Sequence, residues 1–140
     1  MLKGIPGCIS PELLDTLMRM GHGDEIVLAD ADFPADTYGK RVIRADGINM
    51  LTLLPAILTF YPLDSYVSEP AHMMAVVGDA PIPPAWDKFA EIIAAHEPRF
   101  SGFSYIERYA FYKRASSCYA VVITGEADGN IILRKGTVSA

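Results

Sequence analysis

The densest group of side chains able to do chemistry is Gly21-His22-Gly23-Asp24, followed by Asp30, Asp32 and Asp36. An unperturbed imidazole titrates near pH 6.5, so His22 can give or take a proton at neutral pH. Its flanking glycines leave the ring unshielded and let the backbone bend sharply. A loop histidine that only bonds a nearby carbonyl fits the same pattern. Asp30 closes the apolar run Glu25-Ile26-Val27-Leu28-Ala29, and ligands of open α/β sheets bind beyond the carboxyl ends of strands. A carboxylate there can accept hydrogen bonds from two hydroxyls of a sugar; a turn or cap aspartate is the plainer alternative. Arg108 precedes Tyr109-Ala110-Phe111-Tyr112. That run joins a planar guanidinium fork, suited to neighbouring hydroxyls, to rings that stack on apolar sugar faces. A surface arginine on an amphipathic helix fits it equally. Asp128-Gly129-Asn130 reads either as a ligand loop or as a plain turn.

Other chemistries find less support. The spacings of His22, Asp24, Asp30 and Asp32 match no strong metal motif, and His72 and His96 are remote, so no metal is expected. The serines lack a nucleophile-elbow context, and Cys8 and Cys118 form no CxxC pair. The stretch from Gly125 to Gly129 matches no phosphate-binding motif. A net charge of -5 argues against a nucleic-acid partner, which needs a basic face. The longest apolar stretch, Met50 to Phe60, is broken by Thr52, Pro55 and Thr59 and falls short of the roughly 20 residues that span a bilayer. With no signal peptide at Met1–Ser10 and two unpaired thiols, a cytoplasmic protein is expected.

The elements that must position these residues follow from periodicity. Ser10-Pro11-Glu12 opens a helix carrying Leu13, Leu14, Leu17 and Met18 at helical spacing, with Gly21 as its stop. Residues 25–29 form a buried strand and 41–44 a second. A helix is expected from a Thr52 cap, with Pro55 in its first turn. A strand is expected over 71–78, and a helix over 84–96 with Trp86, Phe89, Ile92 and Ile93 on one face. A short helix covers 107–115. Residues 118–124 are the clearest strand, and Asp128-Gly129 predicts a hairpin to its neighbour at 130–133. The 140 residues suit one domain, 51% hydrophobic and 21% charged, of the α/β class.

Ordered matches along the chain carry a resemblance. They are Leu2-Lys3, Ile9-Ser10-Pro11-Glu12-Leu13-Leu14, Met20 to Ile26, Asp30-Ala31 with Phe33-Pro34-Ala35, and Val42 to Gly47. Leu63-Asp64-Ser65-Tyr66, Ala110-Phe111-Tyr112, Val122 to Glu126, Asn130 to Leu133 and Lys135-Gly136 complete them. In these the sequence resembles the ribose pyranase / fucose mutarotase family, and Arg108 with its aromatic run resembles the fucose branch. The resemblance implies an isomerase that interconverts the α and β anomers of a monosaccharide, L-fucose first, without a cofactor. D-ribose pyranase activity and non-catalytic sugar binding are the alternatives. His22 matches the family's acid/base histidine, and Asp30 and Arg108 match residues that hold the sugar. Asp30 either orients His22 or fixes hydroxyls. Asp128, Gly129 and Asn130 match a ligand loop, although Asp128 stands where the family commonly has tyrosine. The implied architecture is one domain over residues 1–140, assembled into a pentameric or decameric ring with sites between subunits. A mean hydropathy of +0.21 agrees with apolar surface absorbed at such interfaces.

Overall fold

Ser10 accepts the N–H of Leu13 at 3.1 Å and so caps α1 (Pro11–Arg19), with Pro11 at a position whose N–H needs no partner. Met20, in extended backbone, ends the helix one residue before Gly21. The chain then enters β1 (Glu25–Ala29). The computed structural model describes residues 1–139, so Ala140 of the expected domain lies outside the described residues. The remaining elements are α2 (Ala35–Tyr38), β2 (Val42–Arg44), α3 (Met50–Leu58), β3 (Ala71–Met74), α4 (Ala85–His96), β4 (Ser104–Ile106), α5 (Arg108–Ala115), β5 (Ala120–Ile123) and β6 (Ile131–Arg134).

A six-stranded sheet of order β2-β5-β1-β6-β3-β4 forms the frame. β1 runs parallel to β5 (Ile26 opposite Ala120) and antiparallel to β6 (Ile26 opposite Leu133). Both its neighbours therefore come from the C-terminal part of the chain. Side chains alternate between two cores. Ile26, Leu28, Val122 and Leu133 pack with Leu13, Leu17, Leu53, Ile57, Phe89 and Ile93, the inner faces of α1, α3 and α4. Val27, Ala29, Val121, Ile123 and Ile132 pack on the other side with Phe33, Phe111 and Ala115. Burial on both faces explains why residues 26–29 of β1 and the whole of β5 read as unbroken apolar runs rather than alternating ones.

Several expectations need correction. β5 and β6 do not form a hairpin: β1 inserts between them, so Asp128-Gly129 serves a wide connection instead of a tight turn. Asn49, not Thr52, caps α3, accepting the Thr52 N–H at 3.0 Å, and Pro55 lies inside the helix. The strand at 71–78 ends at Met74. The short α2 and β4 correspond to no element expected from the sequence.

Candidate functional site

At the carboxyl end of β1, Asp30 is 9% exposed and almost fully bonded. Its Oδ2 accepts from Asn130 Nδ2 at 2.9 Å and from the Gly129 N–H at 3.4 Å. Its Oδ1 accepts from the Asp32 N–H at 3.2 Å. Asn130 Oδ1 in turn accepts the Asp30 N–H at 2.8 Å. This reciprocal pair fixes the amide's orientation, because a carboxylate offers only acceptors. Burial pushes the Asp30 carboxyl above its ordinary value, the bonds from Gly129, Asn130 and Asp32 pull it back, and the nearby Asp128 charge pushes it up again.

Gly129 shows why the loop has its sequence. Its φ of +151° suits glycine, and a Cβ there would lie 3.0 Å from Phe89 Cε2 and 3.2 Å from Trp86 Nε1. Trp86 Nε1 donates to the Asp128 carbonyl at 3.1 Å. Helix α4 thus clamps the loop that clamps Asp30.

These groups border a cavity of about 380 Å³, within the size range of small-molecule sites. Asp32, Phe33, Met74, Trp86, Arg108 and Tyr112 are also on its wall. Arg108 sits at the start of α5, where the Glu107 carboxylate caps the Tyr109 and Ala110 N–H groups at 3.0 Å each. Arg108 Nε donates to the Tyr112 hydroxyl at 3.0 Å, and Tyr112 stacks on Tyr38 at 4.9 Å between ring centroids. Polar groups that pair with hydroxyls and rings that cover C–H faces therefore meet in one cavity.

Asp30, Arg108, Asp128, Gly129 and Asn130, the residues the resemblance assigns to sugar binding, line this one cavity. His22 does not join them within one chain. It precedes β1 while Asp30 follows it, and the strand's rise of about 3.3 Å per residue holds the two roughly 16 Å or more apart. Asp30 therefore does not orient His22 in the same chain. That contact belongs to Asp64, whose Oδ1 lies 3.2 Å from His22 Nε2. The His22 side chain is 44% exposed and its ring lies 5.4 Å from that of Tyr66. Asp64 is held below the usual carboxylate range: burial opposes this, but bonds from the Tyr66 N–H, Arg134 and His22 outweigh it. Asp24 is remote from the cavity wall and accepts the Gly21 N–H at 2.7 Å. Asp128 reaches the cavity, with its side chain exposed.

Asp64, known from the sequence only as part of a matched segment, and Trp86, only as a core-facing residue, had no site role assigned to them. Asp64 carried one legible signal: an aspartate accepting the N–H two residues on makes an Asx turn, and Asp-Ser-Tyr suits one. Among the described residues no three His, Cys, Asp or Glu side chains gather as metal ligands, and no helix is long and apolar enough to cross a membrane.

Comparison with known proteins bears on what such a site does. The profile of the RbsD / FucU transport protein family matches residues 3–138. An L-fucose mutarotase of Actinobacillus pleuropneumoniae serotype 5b (strain L20) is 50% identical over 139 residues, covering 97% of this chain and 96% of the relative. One from Glaesserella parasuis serovar 5 (strain SH0165) is 51% identical, covering 97% and 95%. The crystal structure of the fucose mutarotase from Streptococcus pneumoniae in complex with L-fucose superposes with a TM-score of 0.92 at 46% identity, covering 99% of this chain and all of the other.

Proposed function

This chain belongs to the RbsD / FucU transport protein family, and from that premise we propose that it is an isomerase interconverting the α and β anomers of L-fucose. The observation that carries this reading is the Asp30 carboxylate, locked by Asn130 and Gly129 at the edge of a cavity shared with Arg108. Full-length similarity to L-fucose mutarotases at about half identity supports fucose as the sugar.

Mutarotation opens a cyclic hemiacetal and closes it on the other face. One proton leaves the anomeric hydroxyl and one reaches the ring oxygen as the C1–O5 bond breaks and C1=O forms; closure reverses both transfers. Atoms and electrons balance without redox or group transfer, so the reaction calls for no cofactor. His22 is the group proposed to move the proton, for a gain of roughly 10²–10⁴-fold. Asp30, Arg108, Asn130 and the loop at Asp128-Gly129 hold the hydroxyls so that the open chain stays in place.

Because β1 separates His22 from the cavity, the reaction needs the His22 of a neighbouring copy. We place the chain in a pentameric or decameric ring with sites between subunits. Exposed apolar side chains support such contacts, among them Leu2 (68% exposed), Met18 (80%) and Tyr109 (65%). A cytoplasmic location is part of the same proposal.

Exchange NMR between anomers, run with L-fucose and D-ribose side by side, tests the reading. Faster-than-solvent exchange of fucose that disappears in His22→Gln is expected. Co-assembled His22→Gln and Asp30→Asn chains, each inactive alone, should regain part of the rate, since a mixed interface holds one intact site. Full activity of His22→Gln overturns the role of the imidazole. Preference for ribose overturns the sugar, and tight binding without exchange favours a non-catalytic sugar-binding protein.

A further inference from the structure

We propose that Asp64 is a positioning residue: it fixes which nitrogen of His22 carries the proton and so which one meets the sugar. The inference rests on the reading of His22 as the proton-transfer group.

The Asp64 side chain is 1% exposed yet faces a half-exposed imidazole. Each of its oxygens is assigned. Oδ1 accepts from the Tyr66 N–H at 3.0 Å and lies 3.2 Å from His22 Nε2. Oδ2 accepts from Arg134 Nε at 3.0 Å. The main chain of Asp64 is pinned as well, its N–H donating to the Arg134 carbonyl at 3.0 Å. The carboxylate therefore cannot turn away from the ring without breaking bonds to β6.

The His22 loop is fastened to the same framework. The Gly23 N–H donates to the Lys135 carbonyl at 2.8 Å. Gly23 has φ +88°, and a Cβ there would lie 3.1 Å from Arg134 Nη2. Glycine at 23 thus lets the loop rest on the guanidinium that neutralises Asp64. An ordinary loop anchor would not need a charge-compensated carboxylate, buried to 1%, aimed at one ring nitrogen.

The tautomer follows from this geometry. A carboxylate beside a guanidinium offers only acceptors, so Nε2 of the neutral ring carries the hydrogen. The lone pair is left on Nδ1, and Nδ1 is the nitrogen that takes the sugar's proton and returns it.

Two-bond ¹H–¹⁵N correlation of the ¹⁵N-labelled full-length protein, with His22 assigned by its absence in His22→Gln, reads the tautomer directly. At alkaline pH the wild type is expected to show protonated Nε2 and bare Nδ1. Asp64→Asn cannot satisfy Arg134 on one side and both donors on the other, so it should give a mixed or reversed tautomer. Its turnover in anomer exchange should fall by at least about ten-fold, within the roughly 10²–10⁴-fold available to acid–base catalysis, with KM for fucose changed less than about three-fold. A wild-type His22 protonated on Nδ1 overturns the proposal even if the variant fails to fold. So does an Asp64→Asn protein that keeps both the tautomer and the rate. If His22→Gln stays active, the role of His22 fails, while the tautomer measurement still decides whether Asp64 orients the ring.

Discussion

Replacing Gly129 with alanine adds one carbon at the point where α4 grips the Asp30 loop. The first cost is conformational: a residue with a Cβ at φ +151° carries about 1–3 kcal/mol of backbone strain. The second is steric. The new Cβ meets Phe89 at 3.0 Å and Trp86 at 3.2 Å, and these rings, 0% and 4% exposed, cannot swing into solvent. Overpacking of this kind costs about 1–3 kcal/mol. Gly102 supplies the control, since its φ is +124° and nothing lies within 4 Å of its would-be Cβ. Gly102→Ala therefore carries the strain alone, and the difference between the variants isolates the clash. With a urea dependence of about 1–3 kcal/mol per molar, the Gly129→Ala midpoint should lie roughly 1 M below that of Gly102→Ala. Both are measured at one protein concentration, so that any self-association contributes equally to the two midpoints. Displacing residue 129 also disturbs the N–H and amide that hold Asp30, so fucose KM should rise in Gly129→Ala and not in Gly102→Ala. Equal midpoints would refute the packing argument. A fucose KM unchanged despite lost stability would refute the link from Trp86 through the loop to the cavity.

Two further outcomes are expected. Arg114 Nε donates to Glu25 Oε1 at 3.1 Å, with the side chains 31% and 15% exposed. Arg114→Met should cost about 1–3 kcal/mol by stranding Glu25, and adding Glu25→Met should recover most of it in chemical denaturation; a double variant no more stable than the single would count against this. Cys118 is 1% exposed and burial pushes its thiol up to about 12, so iodoacetamide at pH 8 should leave it unmodified in the native protein and alkylate it in urea, as peptide mapping would reveal.

The sequence displayed its local physics well. The Ser10-Pro11 start and the double-faced burial of Ile26-Val27-Leu28-Ala29 follow from spacing and propensity, whereas the clustering of Asp30 with Asn130 was legible only through the family resemblance. What it hid was order in space. Asp128-Gly129 carries the composition of a tight turn, yet pairing is decided by which apolar strand fills the gap beside Val121 and Val122, and β1 fits between them and β6. Thr52 and Asn49 both suit a cap, and only the fold chooses the residue that places Met50, Leu53 and Ile57 inward. His22 and Asp30 look adjacent because eight positions is a short interval on paper; an extended strand turns it into a long one. Asp64 showed only its local Asx turn, and its pairing with His22 and Arg134 stayed hidden because both lie far away along the chain.

The insertion of β1 between β5 and β6 also matters during synthesis. Ile26, whose sheet partners are Ala120 and Leu133, leaves the ribosome long before either of them. At about 5–20 residues per second it waits several seconds with its hydrogen-bonding edges open. Pairings between such distant residues close slowly. The strand that ends up with a neighbour on each side is thus, for most of translation, without either of them, and a nascent chain stalled before β6 would leave one of its edges unpaired.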